Sequence, residues 1–369
     1  MTKVMTVVGT RPEIIRLSEV IKRLDATVDH VLVHTGQNYD YELNEIFFEE
    51  LGLRKPDHFL NVDTSSLGRV LGEVLIKTEQ ILLQEKPDAF LVLGDTNSCI
   101  AALMAKRMRI PVYHMEAGNR CFDENVPEET NRRMVDHVAD FNLVYTEHAR
   151  RNLLSEGIHP RRILLTGSPM NEVLTAQRAA IEASDVLARL GLTEGGYFLV
   201  SAHREENVDN ETRLSALLDC LEAVVEEYEV PVLVSTHPRT RKRLEAWGRT
   251  VRGVTFHKPL GFHDYNQLQV NARCVLSDSG TIAEEASLLG FPAVTLRDSI
   301  ERPEALDSGS IIMTGLEVQD VVRATAVAMA AGPKTSLPSG YEVNDTSHRV
   351  LMYILSTAGR HHQWAGIRT

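Results

Sequence analysis

The chain has 369 residues, 43% hydrophobic and 24% charged, with a formal net charge of −12. That length exceeds what one core usually serves, so two domains are expected, and the acidic balance excludes nucleic acid or an anionic membrane as a partner while leaving room for a small anion held by local arginines. No apolar run approaches the roughly 18 residues of a membrane span, the N-terminus enters a strand at once, and the four cysteines lack metal-ligand spacing, so a cytoplasmic protein with reduced thiols and neither signal peptide nor membrane insertion is expected.

The first apolar run, Met5–Val8, ends in Gly9-Thr10-Arg11-Pro12-Glu13. This reads as strand, turn and helix, with proline near the helix start, where a missing N–H costs little. The positive end of that helix makes Arg11 a candidate ligand of a phosphate or carboxylate. There is no G-x-G-x-x-G, so no dinucleotide fingerprint. Leu71, Val74, Leu75, Thr78, Ile81 and Leu82 recur at helical spacing. Phe90–Leu93 then runs into Gly94-Asp95, and Val112–Met115 into Glu116-Ala117-Gly118. Pro127-Glu128-Glu129-Thr130-Asn131-Arg132 opens a further helix. Any one of Asp95, Glu116 and Glu128 would pass as a surface cap. Three on one loop face point to acid/base chemistry, because carboxylates gathered in a dry site set one another's protonation. His114, His137 and His148 have no spacing that would face one ion, so no metal is expected.

Gly and Pro punctuate the chain at Thr166-Gly167-Ser168-Pro169, before a polar helix at about 171–190. Tyr197–Ser201 then delivers His203-Arg204-Glu205-Glu206-Asn207, which makes His203 a candidate general acid or phosphate ligand. Leu214, Leu217, Leu218, Leu221, Val224 and Val225 mark the next helix, and Val232–Ser235 runs into Thr236-His237, with His237 a lesser candidate. Cys274–Ser277 runs into Asp278-Ser279-Gly280-Thr281. There Ser279 can cap a helix, leaving the N–H groups of Gly280 and Thr281 for an anion. Glu284 or Glu285, one turn on, suits ribose hydroxyls, and Arg297 and Arg302 add charge. A last helix at about 345–357 is expected to pack back on the first domain, and His361-His362-Gln363-Trp364 reads as a frayed end. Short apolar strands alternating with amphipathic helices imply doubly wound parallel sheets, with ligands at the carboxyl ends of the strands.

The segments VGTRPE, LGDTNS, HMEAGNR, VPEETNR, HREENVD, DSGTIAEEA and RDSIERPEA, spread across residues 4 to 305, resemble the non-hydrolysing UDP-N-acetylglucosamine 2-epimerases. The resemblance implies two Rossmann-like, GT-B-like domains (1–168 with 345–369, and 169–344), an interdomain cleft and a homodimer. It also implies a reaction without metal, nicotinamide or other cofactor. UDP leaves across C1–C2 to give a 2-acetamidoglycal and is added back after C2 regains a proton on the opposite face. The family's acid/base group falls on Asp95, Glu116, Glu128 and His203. Its UDP contacts fall on Arg11, Ser279, Gly280, Thr281, Glu285 and Arg302.

This chain departs from the family's pattern at several positions. A lysine used on the first helix is Arg16, which keeps the charge and the UDP-sugar-binding role with a different geometry. An arginine tied to allosteric nucleotide-sugar binding is Glu73, a second cation after the active-site histidine is Glu205, and a glutamine-histidine-arginine stretch reads Gln37-Asn38-Tyr39-Asp40. Carboxylates in place of cations repel a diphosphate, so the usual substrate activation is not expected. HTGQNYDYELNEIFF and MEAGNRCFDENVPEETNRR look most like the subgroup that converts UDP-2-acetamido-2,6-dideoxy-L-talose into UDP-N-acetyl-L-fucosamine for capsule or O-antigen synthesis. The alternatives are the parent UDP-N-acetylglucosamine/UDP-N-acetylmannosamine epimerase, a hydrolysing epimerase, a GT-B glycosyltransferase, and a non-catalytic nucleotide-sugar-binding regulator. The regulator leaves three carboxylates without a task.

Overall fold

The computed structural model describes the chain except residues 37–44, 203, 209, 237–239, 242, 245–250, 333–336 and 369, and except the side chains of Glu205 and Glu206. His203, His237 and the stretch Gln37–Asp40 therefore lie outside the described residues, as does the side chain of Glu205. The chain divides into two units, residues 1–176 with 339–369, and residues 177–338.

In the first unit, strands β1 (Lys3–Val8), β2 (Asp29–His34), β3 (His58–Phe59), β4 (Ala89–Leu93), β5 (Val112–Met115), β6 (Phe141–Val144) and β7 (Ile163–Leu165) form one sheet in the order β3-β2-β1-β4-β5-β6-β7. Every pairing is parallel. Helix α1 (Arg11–Thr27) follows β1, with Pro12 in its first turn and its apolar stripe, Ile14, Leu17, Ile21 and Leu24, buried. Helix α2 (Leu67–Glu85) buries Val70, Val74, Thr78 and Leu82, a strict i+4 row. Leu71, Leu75 and Ile81 of the expected stripe flank that row, only partly buried. Helix α3 (Pro127–Val138) follows the loop after β5.

The units divide after residue 176, and beyond 168 the chain is still tied to the C-terminal segment, Asn171 Nδ2 donating to Glu342 O at 2.8 Å and Glu172 Oε2 accepting the Ser347 N–H at 2.8 Å. Ser168 N–H donates to Gly340 O at 2.9 Å and Thr346 Oγ1 to Ser168 O at 3.1 Å. The single helix expected at 171–190 is two, Met170–Glu182 and Val186–Leu190. The C-terminal helix Thr346–Thr357 lies against α1, where Arg23 Nε donates to Ser347 Oγ at 2.7 Å. The end of the chain is docked, contrary to the frayed tail expected. His361 is buried edge-on to Phe141, His362 bonds to Arg109 O at 2.9 Å, and Arg161 covers the Trp364 ring at 5.3 Å. Aromatic faces and a cation hold what composition alone marks as loose.

The second unit repeats the scheme. Strands β8 (Phe198–Ser201), β9 (Val232–Ser235), β10 (Val254–His257), β11 (Cys274–Ser277), β12 (Ala293–Thr295) and β13 (Ile312–Met313) run in the order β10-β9-β8-β11-β12-β13, again all parallel. Successive strand residues alternate between two cores. Phe198, Val200 and Leu276 meet Leu214, Leu217 and Leu221 of α4 (Glu211–Tyr228). Leu199 and Val275 meet Ile282, Ala283 and Ala286 of α5 (Ile282–Leu289) on the other face. Burial on both faces explains why these strands read as continuous apolar runs.

Both orders reverse once, between β1 and β4 in the first sheet and between β8 and β11 in the second. At such a switch point the flanking loops diverge and leave a crevice at the carboxyl ends of the strands. The loops that carry Arg11, Asp95, Arg204 and Ser279 follow these four strands.

Candidate active site

In the first unit, the turn after β1 and the turn after β4 are joined by a carboxylate the sequence reading did not single out. Glu13 is buried, and its Oε2 accepts the N–H groups of Gly9 at 2.7 Å and Thr10 at 2.6 Å. Its Oε1 accepts Thr96 Oγ1 at 2.8 Å and the Ser98 hydroxyl. Burial pushes the Glu13 carboxyl up from its ordinary value, and the hydroxyl and N–H donors pull against that. What reads in sequence as a capping residue three places after Thr10 is also the bolt between two strand ends. Glu13 thereby fixes the approach to Asp95.

Of the candidate acid/base residues, Asp95 and Glu116 follow the adjacent strands β4 and β5, each beside an arginine. Arg16, 3% exposed, is ion-paired with Glu116 across the end of β4. Glu116 also reaches over Gly94, where a Cβ would stand 4.0 Å from its Oε2. Arg132 of α3 brings Nη2 to 2.6 Å from Asp95 Oδ2. Each of the two carboxylates thus carries its own arginine. Glu128 lies half-buried in the first turn of α3, one helical turn before Arg132 on the same face. Arg11 is half-buried, with its guanidinium 5.6 Å from the Phe47 ring centroid.

Glu116 occupies a left-handed backbone conformation, φ +65°, and Gly118 follows at φ +81°. Such a conformation in a non-glycine residue carries strain that the surroundings must hold, and it recurs at functional positions. The holding group is Asp136, fully buried. It accepts the Gly118 N–H at 3.1 Å and Arg120 Nη1 at 2.7 Å, and it meets His114 Nδ1 at 2.9 Å. His114 spends its other nitrogen on Gly94 O at 2.8 Å. It is a structural tie between β4 and β5. At Gly118 a Cβ would collide with Ala149 O, so the position admits only glycine on grounds of space as well as φ.

Glu129, next to Glu128, is the second carboxylate that sequence reasoning passed over. Its burial opposes ionisation, but the N–H and thiol of Cys121 and the Arg132 guanidinium overcome that and bring the carboxyl down to about 2. Its i, i+3 spacing to Arg132 was the available signal. Because the folded value lies below the ordinary 4.5, the stability this residue contributes is fully present above pH 4.5 and disappears as pH falls through about 2. Glu129→Gln is expected to flatten the pH dependence of unfolding between those limits, which acid titration followed by circular dichroism checks.

In the second unit, the loops after β8 and β11 are tied in the same manner. Asp278 is buried, and its Oδ2 accepts the Arg204 N–H at 3.0 Å and Asn207 Nδ2 at 3.1 Å. Ser279, Gly280 and Thr281 form the turn before α5. The helix is capped at Thr281 rather than Ser279, and Ser279 Oγ accepts the Thr281 N–H at 3.3 Å. Of the two N–H groups expected to be open to an anion, that of Thr281 is therefore engaged. A Cβ at Gly280 would meet the end of the Glu301 side chain, which would have to shift to admit it. Glu301 is buried and pairs with Arg297 Nη1 at 2.6 Å, with Arg204 Nη2 at 3.6 Å. Of the glutamates expected near ribose, Glu284 is fully buried against Arg302, and Glu285 accepts Gln269 Nε2 at 2.6 Å. Arg302 is itself 2% exposed, a packed ion pair rather than a surface charge.

The two units thus each hold a switch point, one with carboxylates that have arginine partners and one with a serine-glycine-threonine turn beside arginines. A family model described as UDP-N-acetylglucosamine 2-epimerase matches residues 22–355. The chain belongs to that family. It is similar to the solved UDP-N-acetylglucosamine 2-epimerase of Rickettsia bellii, with 44% identity, a TM-score of 0.93 and full coverage of both chains. It is also similar to the Methanocaldococcus jannaschii UDP-GlcNAc 2-epimerase solved in complex with UDP-GlcNAc and UDP, with 35% identity and a TM-score of 0.91 over 96% of this chain and all of that one. A Pseudomonas aeruginosa relative, UDP-2,3-diacetamido-2,3-dideoxy-D-glucuronate 2-epimerase, is 34% identical over 362 residues, 95% of this chain and 99% of its own. As a family member the protein is an isomerase, a UDP-sugar 2-epimerase, and its two all-parallel α/β units are of the GT-B-like kind expected.

Proposed function

We propose that the protein inverts C2 of a UDP-2-acetamido sugar by eliminating and re-adding UDP, with UDP-2-acetamido-2,6-dideoxy-L-talose as substrate and UDP-N-acetyl-L-fucosamine as product. The observation that carries the reaction is the pair Asp95 and Glu116 at the ends of adjacent strands, each with an arginine in contact. The C2 proton is only weakly acidic, so its removal needs a carboxylate held in position. As the C2–H bond breaks, its electrons form C1=C2 and the C1–O bond releases UDP. In the return direction a proton reaches C2 from the other face and a diphosphate oxygen attacks C1. Glu128 serves as the further acid/base group. Ser279, Gly280 and Thr281, with Arg11, Arg16, Glu285, Arg302 and His203, are assigned to UDP and its departure, where fixed donors offset the developing charge.

The substrate assignment is supported by the two segments that look most like the fucosamine subgroup, and by Glu73, Glu205 and Gln37–Asp40 standing where the parent enzymes carry nucleotide-binding cations. Glu73 accepts the Asp63 N–H at 2.9 Å and pairs with Lys77 at 2.7 Å, so a carboxylate engaged in a local network stands at that position. The parent UDP-N-acetylglucosamine reaction is the second reading, favoured by the substrates that the similar solved enzymes are named for. A cytoplasmic homodimer serving polysaccharide assembly is the proposed working form. No helix among the described residues is long and apolar enough to cross a membrane.

Incubation in heavy water with each nucleotide sugar separately tests both readings. Deuterium is expected at C2 of intact UDP-sugar, with kcat/KM at least about tenfold higher for the L-talo compound. Exchange with UDP-N-acetylglucosamine alone would establish the second reading, and free sugar would indicate hydrolysis. No exchange with either would remove the epimerase assignment.

A further inference from the structure

The contacts of Asp95 distinguish its two oxygens. Arg132 places Nε 3.0 Å and Nη2 2.6 Å from the same atom, Oδ2. A fork-to-fork arginine pair would engage both oxygens. The remaining nitrogen, Nη1, stands 2.7 Å from Glu129 Oε2. That glutamate oxygen also accepts the Cys121 N–H at 3.1 Å and lies 3.2 Å from Cys121 Sγ. Asn131, beside Arg132, donates Nδ2 to the Asp95 carbonyl at 2.9 Å. Arg132 and Glu129 are each 3% exposed, while the Asp95 side chain is 22% exposed. Arg132 and Glu129 are thus packed away while Asp95 reaches solvent, and among the described residues Asp95 is gripped by one oxygen only.

A carboxylate torsion of this type is broad and two-fold, so a free aspartate presents either oxygen. A guanidinium held in a plane at three points removes that freedom. We propose that Arg132 is a positioning residue for the epimerisation: it pins Oδ2 of Asp95 and presents Oδ1 as the oxygen that exchanges a proton with the sugar, while Glu129 and Cys121 fix the guanidinium plane. The inference rests on the acid/base reading of Asp95. Arginine is required because a lysine ammonium offers no plane and spans fewer contacts at once. The line Cys121–Glu129–Arg132–Asp95 passes from the loop after β5, through the first turns of α3, to the end of β4, so three elements agree on the orientation of one oxygen.

The test measures kcat and KM for C2 deuterium incorporation, and the Kd for UDP, in the full chain and its variants. Arg132→Met is expected to lower kcat about 10²-fold, the effect of a small misplacement of a reacting group. KM and the UDP Kd are expected to stay within about threefold, the mark of a group that acts in the chemical step. Arg132→Lys should recover about a tenth of the lost rate. Glu129→Gln should lower kcat about tenfold through the guanidinium alone. An unchanged kcat in Arg132→Met, or a raised KM with kcat intact, overturns the proposal. Should Arg132→Met fail to fold, Glu129→Gln decides: a lower kcat at constant KM supports the inference, and a wild-type kcat overturns it. A wild-type protein that incorporates no deuterium from either nucleotide sugar removes the acid/base reading and this inference together. A wild-type protein that exchanges beside an unimpaired Arg132→Met removes this inference alone.

Discussion

Glu116→Gln is expected to abolish C2 exchange while leaving UDP bound. The substitution keeps the shape and the contact with Arg16 but removes the proton acceptor, so a loss of about 10²–10⁴-fold in kcat follows from the ordinary contribution of a positioned base. UDP affinity should stay within about twofold, since the contact with Arg16 is kept and only interactions made in the chemical step are lost. Deuterium incorporation read by NMR, alongside calorimetric titration with UDP, separates the two. A variant that exchanges at the wild-type rate would remove Glu116 from the chemistry. One that no longer binds UDP would place the residue in substrate binding. The left-handed backbone at Glu116 sharpens the expectation, because a strained conformation at the end of a strand is held only where surrounding contacts over-determine it.

The second large effect is on stability. Asp136→Ala leaves Arg120 without its closest buried carboxylate, leaves the Gly118 N–H unpaired and frees His114 Nδ1. Breaking a buried ion pair by deleting one partner costs about 3–5 kcal/mol, most of it from the charge left behind. Glu156, which also pairs with Arg120 at 2.7 Å, keeps the cost from rising further. The thermal midpoint of the first unit should fall by roughly 10 °C, given how little a domain of this size gains per degree. Exchange activity should fall with it, because Asp136 holds the turn that carries Glu116. Scanning calorimetry, read as two transitions because the chain has two units, checks the first. A midpoint within about 2 °C of wild type would show that Arg120 is satisfied by Glu156 alone.

Much of the fold was legible because it depends on local pattern. Runs such as Phe90–Leu93 and Val232–Ser235 are apolar without alternation, and only a strand covered on both faces favours that composition. Helical stripes such as Leu214, Leu217, Leu218 and Leu221 announced their period directly. Element ends were less certain. The helix expected at 171–190 breaks at Ala183-Ser184-Asp185, and the tail at His361–Trp364 is ordered by partners far away in sequence, Phe141, Arg109 and Arg161. Nothing in the four residues themselves tells of a ring meeting His361 edge-on from β6.

The candidate site divides along the same line. Asp95 and Glu116 were visible as candidates because each directly follows an apolar strand, at the end where ligands of parallel sheets bind. Glu13, Glu129 and Arg132 were passed over because a helix start supplies an innocent account of each, as cap or as i, i+3 pair. Their larger roles rest on residues 37 to 85 positions distant, Asp95 for Arg132 and Ser98 for Glu13. At Ser279 and Glu284 the structure adds internal partners that the local pattern does not show, the Thr281 N–H for Ser279 and Arg302 for Glu284.

By itself the sequence determined the class of fold and the family, since each follows from short-range periodicity or from motifs a few residues long. Only the tertiary structure decided which arginine serves which carboxylate, that Asp136 sustains the backbone at Glu116, and that one oxygen of Asp95 is pinned while the other is not. Pairings of that kind depend on how strands order themselves in a sheet. The crossing from β1 to β4 brings together residues that no local rule connects.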